Sequence, residues 1–259
     1  MKTLKVADMC QTSPFEVDFL VKEILSLGCT LEWNHIEEKD FEISADTIKQ
    51  FDVSLLNGQG CIEVGDLVHH SNLNLHYIKY FDVIENIKGK LWGDSLFSKS
   101  FNQVFLDLRK NRQLAGSVIF LGGAPYYSPI VYTLAKFGYR DFNFLCTQEE
   151  FATVAKISKN LIDVRLHLLD SAELIQSSKE YSLCLVTSLR YPESVLSDIS
   201  YFHFLSQRSL VLNLVGDTNF PFQEVSALST EVVGPNSMSD ARLAHLRDKI
   251  LDCAKKLSG

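Results

Sequence analysis

Between residues 117 and 216 the hydrophobic pattern alternates, at short and regular intervals, between compact apolar runs and stretches of helical period. The runs predict strands at 117–121, 141–146, 164–169, 182–187 and 209–214, and the stretches between them predict helices near 130–137, 149–161, 172–179 and 194–205. Strands and helices in this alternation predict a doubly wound parallel sheet with right-handed crossovers. Residues 1–97 are less regular. A strand at 4–7 precedes a helix with a clear start, Ser13 at the N-cap, Pro14 as the first helical residue and Glu16 closing a capping box, with Gly28 as its stop. Strand-like runs follow at 30–33 and 51–56, and two more at 83–87 and 90–92 flank Lys88-Gly89, which reads as a tight turn. Helical period returns at 99–112 and at 239–257, where Leu243, Leu246, Ile250, Leu251 and Cys253 face one side. The expected fold class is α/β with two domains, the second Rossmann-like.

Within that second half, SVIFLGGAPYYSPIVYTLAKFG, from Ser117 to Gly138, has the outline of a dinucleotide-binding strand, loop and helix. A phosphate cradle needs bare glycines, so that the pyrophosphate can approach the backbone, and free N–H groups at the helix start. Gly122 and Gly123 meet the first need. Ala124 then adds a Cβ, Pro125 removes an N–H, and Tyr126-Tyr127 add bulk, which predicts a plugged loop. Ser128-Pro129 reads as an N-cap with proline at the first helical position, which would start the helix late.

Composition narrows the picture. Apolar residues make up 46% of the 259 and charged residues 22%, ordinary globular usage. A net charge of −7 without a Lys/Arg run speaks against nucleic acid. No run of about 18 uninterrupted apolar residues occurs, and the first ten residues lack a leader-like apolar core, so no membrane partner and a cytoplasmic location are expected. Cys10, Cys29, Cys61, Cys146, Cys184 and Cys253 show no metal-finger spacing and read as buried thiols. His69-His70 and His76 have no ligand-spaced partners, so no metal is expected.

Three collinear segments carry a resemblance to a known family: QTSPFEVDFLVKEILSLGCTLEW, KGKLWGDSLFSKSF and the glycine-loop segment above. They resemble the S-x-S-P helix start, the G-K-L-x-G-x-N-T-D segment and the glycine loop of the shikimate/quinate dehydrogenases, over nearly the whole chain. The resemblance implies an N-terminal substrate-type domain at 1–98, a bridging helix at 99–114, a Rossmann-like domain at 115–236, and a last helix at 237–259 packing back on the first domain. It implies NADP or NAD as cofactor if the family function survives, a reaction in aromatic amino acid biosynthesis, and a small molecule in the interdomain cleft. A homodimer or a protein partner is compatible with it.

Residue by residue, the family's chemistry is replaced. Its catalytic lysine falls on Gly58 and the partner aspartate on Phe97, with Asn57 and Asp94 as nearby substitutes. Of its two substrate-carboxylate serines one falls on Gln11 and only Ser13 remains. The arginine that faces the adenosine 2′-phosphate falls on Thr147, and a helical glutamine falls on Ala241. Hydride transfer from an alcohol carbon needs a group to take the hydroxyl proton, and neither glycine nor phenylalanine can. The expected substrate contacts are Ser13, Asp52, Asn57 and Asp94, and the expected cofactor contacts are Gly122, Gly123, Ala124 and Thr147. Two readings stand at this point: an impaired dehydrogenase relative that binds or regulates, and an active oxidoreductase with altered substrate and general base.

Overall fold

The computed structural model describes the chain except for residues 38, 40, 72–74, 76, 77, 111–115, 124, 125, 159, 160, 162, 177, 189, 200–202, 228 and 229; of 156–158, 198 and 199 it describes the backbone. Ala124 and His76 therefore lie outside the described residues. The chain divides into two compact units, Met1–Ser100 with Ala241–Gly259, and Phe101–Asp240.

The first unit is built on β1 (Lys2–Asp8), β2 (Cys29–His35), β3 (Val53–Leu55), β4 (His70–Ser71), β5 (Val83–Ile87) and β6 (Lys90–Asp94), in the sheet order β2-β1-β3-β5-β6-β4. β1 pairs in parallel with β2 and β3, and β5 is antiparallel to both β3 and β6. Helix α1 (Pro14–Ser26) starts where Ser13 Oγ accepts from the Glu16 amide and ends before Gly28, whose φ of 76° suits a glycine. The last helix, α10 (Asn236–Ser258), supplies Leu246, Ile250, Cys253 and Ala254 to a core shared with Leu4, Val6, Leu20, Ile24, Val53 and Val83. Salt bridges fasten its flank. Arg247 grips the buried Glu16 carboxylate through two bonds of 2.6 and 2.7 Å, and Lys249 pairs with Glu85. Short helices α2 (Ala45–Ile48) and α3 (Gly60–Glu63) complete the unit, with α4 (Leu96–Arg109) leading out of it.

The second unit contains β7 (Ser117–Leu121), β8 (Asp141–Leu145), β9 (Arg165–Leu168), β10 (Tyr181–Val186), β11 (Leu205–Asn213) and β12 (Glu231–Val233), in the order β12-β11-β10-β7-β8-β9 with every pair parallel. This is the doubly wound order of a Rossmann fold, and it reverses between β7 and β10. The helices between strands are α5 (Tyr127–Lys136), α6 (Gln148–Ser158), α7 (Ser171–Gln176), α8 (Glu193–Ile199) and α9 (Phe222–Ser226). Three of the boundaries that differ from the sequence pattern have a visible cause. α4 starts at Leu96 because Ser95 Oγ and the Asp82 carboxylate accept the amides of its first turn. α5 starts at Tyr127, so Ser128 is a buried helical residue and not a cap. Leu205 opens β11 in register with Tyr181 and does not end a helix.

Candidate functional site

Side chains from separate elements converge at the strand carboxyl ends of each sheet, where open α/β sheets bind ligands. In the first unit, Asp8 closes β1 and is fully buried. Its carboxylate accepts from the Cys10 amide at 2.8 Å, the Thr12 amide at 2.9 Å and Trp33 Nε1 at 3.1 Å, and His35 Nδ1 lies 3.1 Å from it. Asp82, just before β5, is equally buried and accepts from the Leu96 and Phe97 amides at 2.7 and 2.8 Å. Burial pushes its carboxyl pKa up, against Arg242 and those two amides.

Arg242, from α10, donates to Cys10 Sγ at 3.0 Å. Burial opposes its charge, yet Cys10, Asp82 and Tyr80 hold its pKa above the ordinary value. The Cys10 thiol is pushed up to about 11, chiefly by burial, and donates to the Leu56 carbonyl at 3.2 Å. Cys61 is raised for the same reason, so both are neutral thiols at neutral pH. Phe97 is 7% exposed and leans on Tyr80 with ring centroids 6.0 Å apart.

The residues expected to bind substrate are not all brought together. Asn57 is exposed just beyond β3, beside Gly58 with φ 54°, and Asp94 ends β6 at the same side of the sheet. Asp52 lies at the other end of β3, where its carboxylate accepts from the Lys5 amide at 2.8 Å. Ser13 is exposed and engaged as the cap of α1. Asp94 is held by Lys99 at 2.6 Å and Lys249 at 3.1 Å. Burial acts to raise its carboxyl, but the two ammonium groups outweigh burial and keep it below the ordinary range, which makes it a weak base.

In the second unit a cavity of about 580 Å³ opens beside the point where the strand order reverses. Gly122, at φ 97°, passes so close to Ser188 that a Cβ would strike Ser188 Cβ and its backbone nitrogen. Three donors converge on the carbonyl of Leu121: the Thr187 amide at 2.9 Å, Thr187 Oγ1 at 3.0 Å and the Tyr191 hydroxyl at 2.6 Å. Thr147 caps α6 in a reciprocal box. Glu150 Oε2 accepts from the Thr147 amide at 2.8 Å and its hydroxyl at 2.9 Å, and the Glu150 amide donates back to Thr147 Oγ1 at 3.3 Å. This box lays the Glu150 carboxyl directly on Gly123, where a Cβ would fall within bonding distance of Oε1. Asp170 and Glu173 form a second box on the same wall, and Arg190 lies among the lining residues.

Tyr127 was expected to plug the loop; it fills the core instead, edge-on to Phe120 and Phe144 at 5.0 and 4.9 Å. Its hydroxyl is buried beside Thr187 and Cys146 without a well-formed hydrogen bond. Cys146 is raised to about 11 by burial first and Glu150 second. Among the described residues no group of three or more His, Cys, Asp or Glu side chains is placed to hold a metal.

No family model matches the chain, and no curated protein matches it. Solved structures do. Quinate dehydrogenase of Corynebacterium glutamicum, in complex with NAD, superposes with a TM-score of 0.73 at 12% identity, covering 99% of this chain and 98% of the other. Shikimate 5-dehydrogenase of Listeria monocytogenes, in complex with shikimate and NAD, gives 0.73 at 11% identity over 99% and 96%. Shikimate dehydrogenase of Aquifex aeolicus gives 0.70 at 12% identity over 99% and 97%. The fold is that of the shikimate and quinate dehydrogenases. Neither the convergence of Arg242, Cys10 and Asp82 nor the seat of Glu150 on Gly123 follows from a shikimate dehydrogenase motif. Of these residues only Glu150 carried a local signal, the T-x-x-E spacing of a capping box.

Proposed function

We propose that this chain keeps the frame of a shikimate dehydrogenase without its hydride transfer, and acts by binding or regulation. The observation that carries this reading is Phe97, at the position of the family's aspartate, buried against Tyr80 with its amide bound to Asp82. The phenylalanine ring cannot share a proton with a substrate hydroxyl, Gly58 offers no group at the lysine position, and both Asp82 oxygens are engaged by the amides of Leu96 and Phe97. The nearest carboxylate in sequence, Asp94, is tied to two lysines and is a poor base. The nucleotide side supports the same reading. A pyrophosphate approaching Gly123 would meet the Glu150 carboxylate, and prolines at 125 and 129 withhold amide donors from the loop and from the first turn of α5. The residues present do not fit the cofactor.

The test is direct. Purified protein is mixed with shikimate or quinate and with NAD or NADP, and the nicotinamide absorbance is followed. No turnover above the protein-free control is expected. Turnover that Asp94→Ala abolishes would overturn the reading and make the chain an active oxidoreductase with Asp94 as its base.

A further inference from the structure

Helix α1 carries apolar side chains on its outer side as well as its inner one. Glu16, Leu20 and Ile24 form the buried side, and Leu20 and Ile24 enter the core of the first unit. On the opposite side Phe15 is 79% exposed and Leu25 47%, and Phe19, 36% exposed, flanks them with the Arg247 guanidinium 4.6 Å from its ring centre. Of the eight large hydrophobic side chains exposed among the described residues, three belong to the thirteen residues of α1. Single exposed apolar residues are ordinary, whereas several on one helix mark a contact surface.

Phe15, Asp18, Lys22 and Leu25 are spaced by three, four and three, the seam of a coiled coil, with apolar residues at both ends and opposite charges between them. Asp18 and Lys22 are exposed, and among the described residues neither forms an ion pair within its own chain. This seam complements itself in one direction. Laid antiparallel about a two-fold axis level with Leu20, Phe15 meets Leu25 of a second copy and Asp18 meets its Lys22, and the symmetry repeats both contacts. Laid parallel in register, aspartate would face aspartate and lysine would face lysine.

We propose that the chain forms a homodimer in which α1 pairs antiparallel with α1 of a second copy. One helix pair is a small contact, at the low end of specific interfaces, below about 1,200 Å² in total, so a dissociation constant on the order of micromolar is expected. The proposal concerns assembly and holds whether or not the chain transfers hydride.

Sedimentation equilibrium on the whole protein, from about 1 to 200 µM, brackets that affinity and tests the proposal. Wild type is expected to follow a monomer–dimer equilibrium. Asp18→Lys and Lys22→Asp each set like charges across both central contacts, and each is expected to weaken the dimer at least about tenfold. The double variant exchanges the two charges and is expected to return to wild-type affinity. An equimolar mixture of the two single variants is the sharpest sample. The lysine pair of one chain then faces the aspartate pair of the other, and association is expected to return as a one-to-one dimer. A substitution that merely disturbed α1 would not be rescued by mixing. Wild type that stays monomeric across the range, which would leave the face to a different protein, overturns the proposal. So does a dimer indifferent to the single charge reversals, or a mixture that associates no more tightly than its components.

Discussion

Arg242 carries a charge to a place where burial opposes it, and the Asp82 carboxyl and the hydrogen bond to Cys10 Sγ offset that cost. Its removal leaves the Asp82 carboxyl buried without a cation. Arg242→Leu is therefore expected to destabilise the first unit at neutral pH by several kcal/mol, on the order of 3, the scale seen when one partner of a buried charged pair is lost. The pH dependence has a definite sign. Asp82 has a folded pKa raised above its unfolded value, so its protonated form favours folding, and that contribution is lost as pH rises through the folded pKa. Without Arg242 the folded pKa rises further, and the gap between variant and wild type narrows as pH falls toward about 4, near the unfolded carboxyl pKa. Urea midpoints across pH measure this, and a gap independent of pH would exclude Asp82 as its cause. The sequence displayed Gly58, Phe97 and Thr147 plainly, because each replaces a letter inside a recognisable segment. It did not display Arg242 or Asp82, whose partners lie far away along the chain, nor where the Glu150 box would rest.

Elements were legible where their period was long enough to count. The β5–β6 hairpin was legible in two strand-like runs flanking Lys88-Gly89, and the structure gives these two residues φ of 53° and 81°, the two left-handed positions of a type I′ turn. Gly89 pays no steric cost there, and its amide donates to Asn86 Oδ1 at 3.0 Å. Lys88 does pay one. Lys88→Asn places the preferred Asn-Gly pair in the turn and is expected to stabilise the protein by up to about 1 kcal/mol, read as a rise in the denaturation midpoint. The elements the pattern left out are α2, α3, α9, β4 and β12, of two to five residues each, too short to show a period. The late start expected for α5 failed for another reason. Ser128 resembles a cap in sequence, but Tyr127 packs edge-on against the stacked Phe120 and Phe144 rings and brings the first turn forward.

At the scale of the whole molecule, the first unit is discontinuous: Met1–Ser100 is completed by Ala241–Gly259. Its core counts Leu246, Ile250, Cys253 and Ala254 among the buried residues that face β1, β3 and α1. The same segment carries Arg247 to Glu16, and Lys249 and Lys256 to Glu85. Ending the chain after residue 240 therefore removes apolar cover and cations together. Glu16 and Glu85, buried in the whole chain, would lose those cations while the apolar residues beneath α10 are opened to water, a combination that favours local unfolding over repacking. The second unit, Phe101–Asp240, keeps its parallel sheet and its own buried cluster around Ile119, Val186 and Val211. Hydrogen exchange on the truncated chain is expected to show lost protection in β1, β3 and β5 and retained protection in β7, β10 and β11. Protection lost equally in all six strands would mean that the two units unfold as one cooperative body, and protection kept in β1 would mean that the strands of the first unit hold together without the last helix.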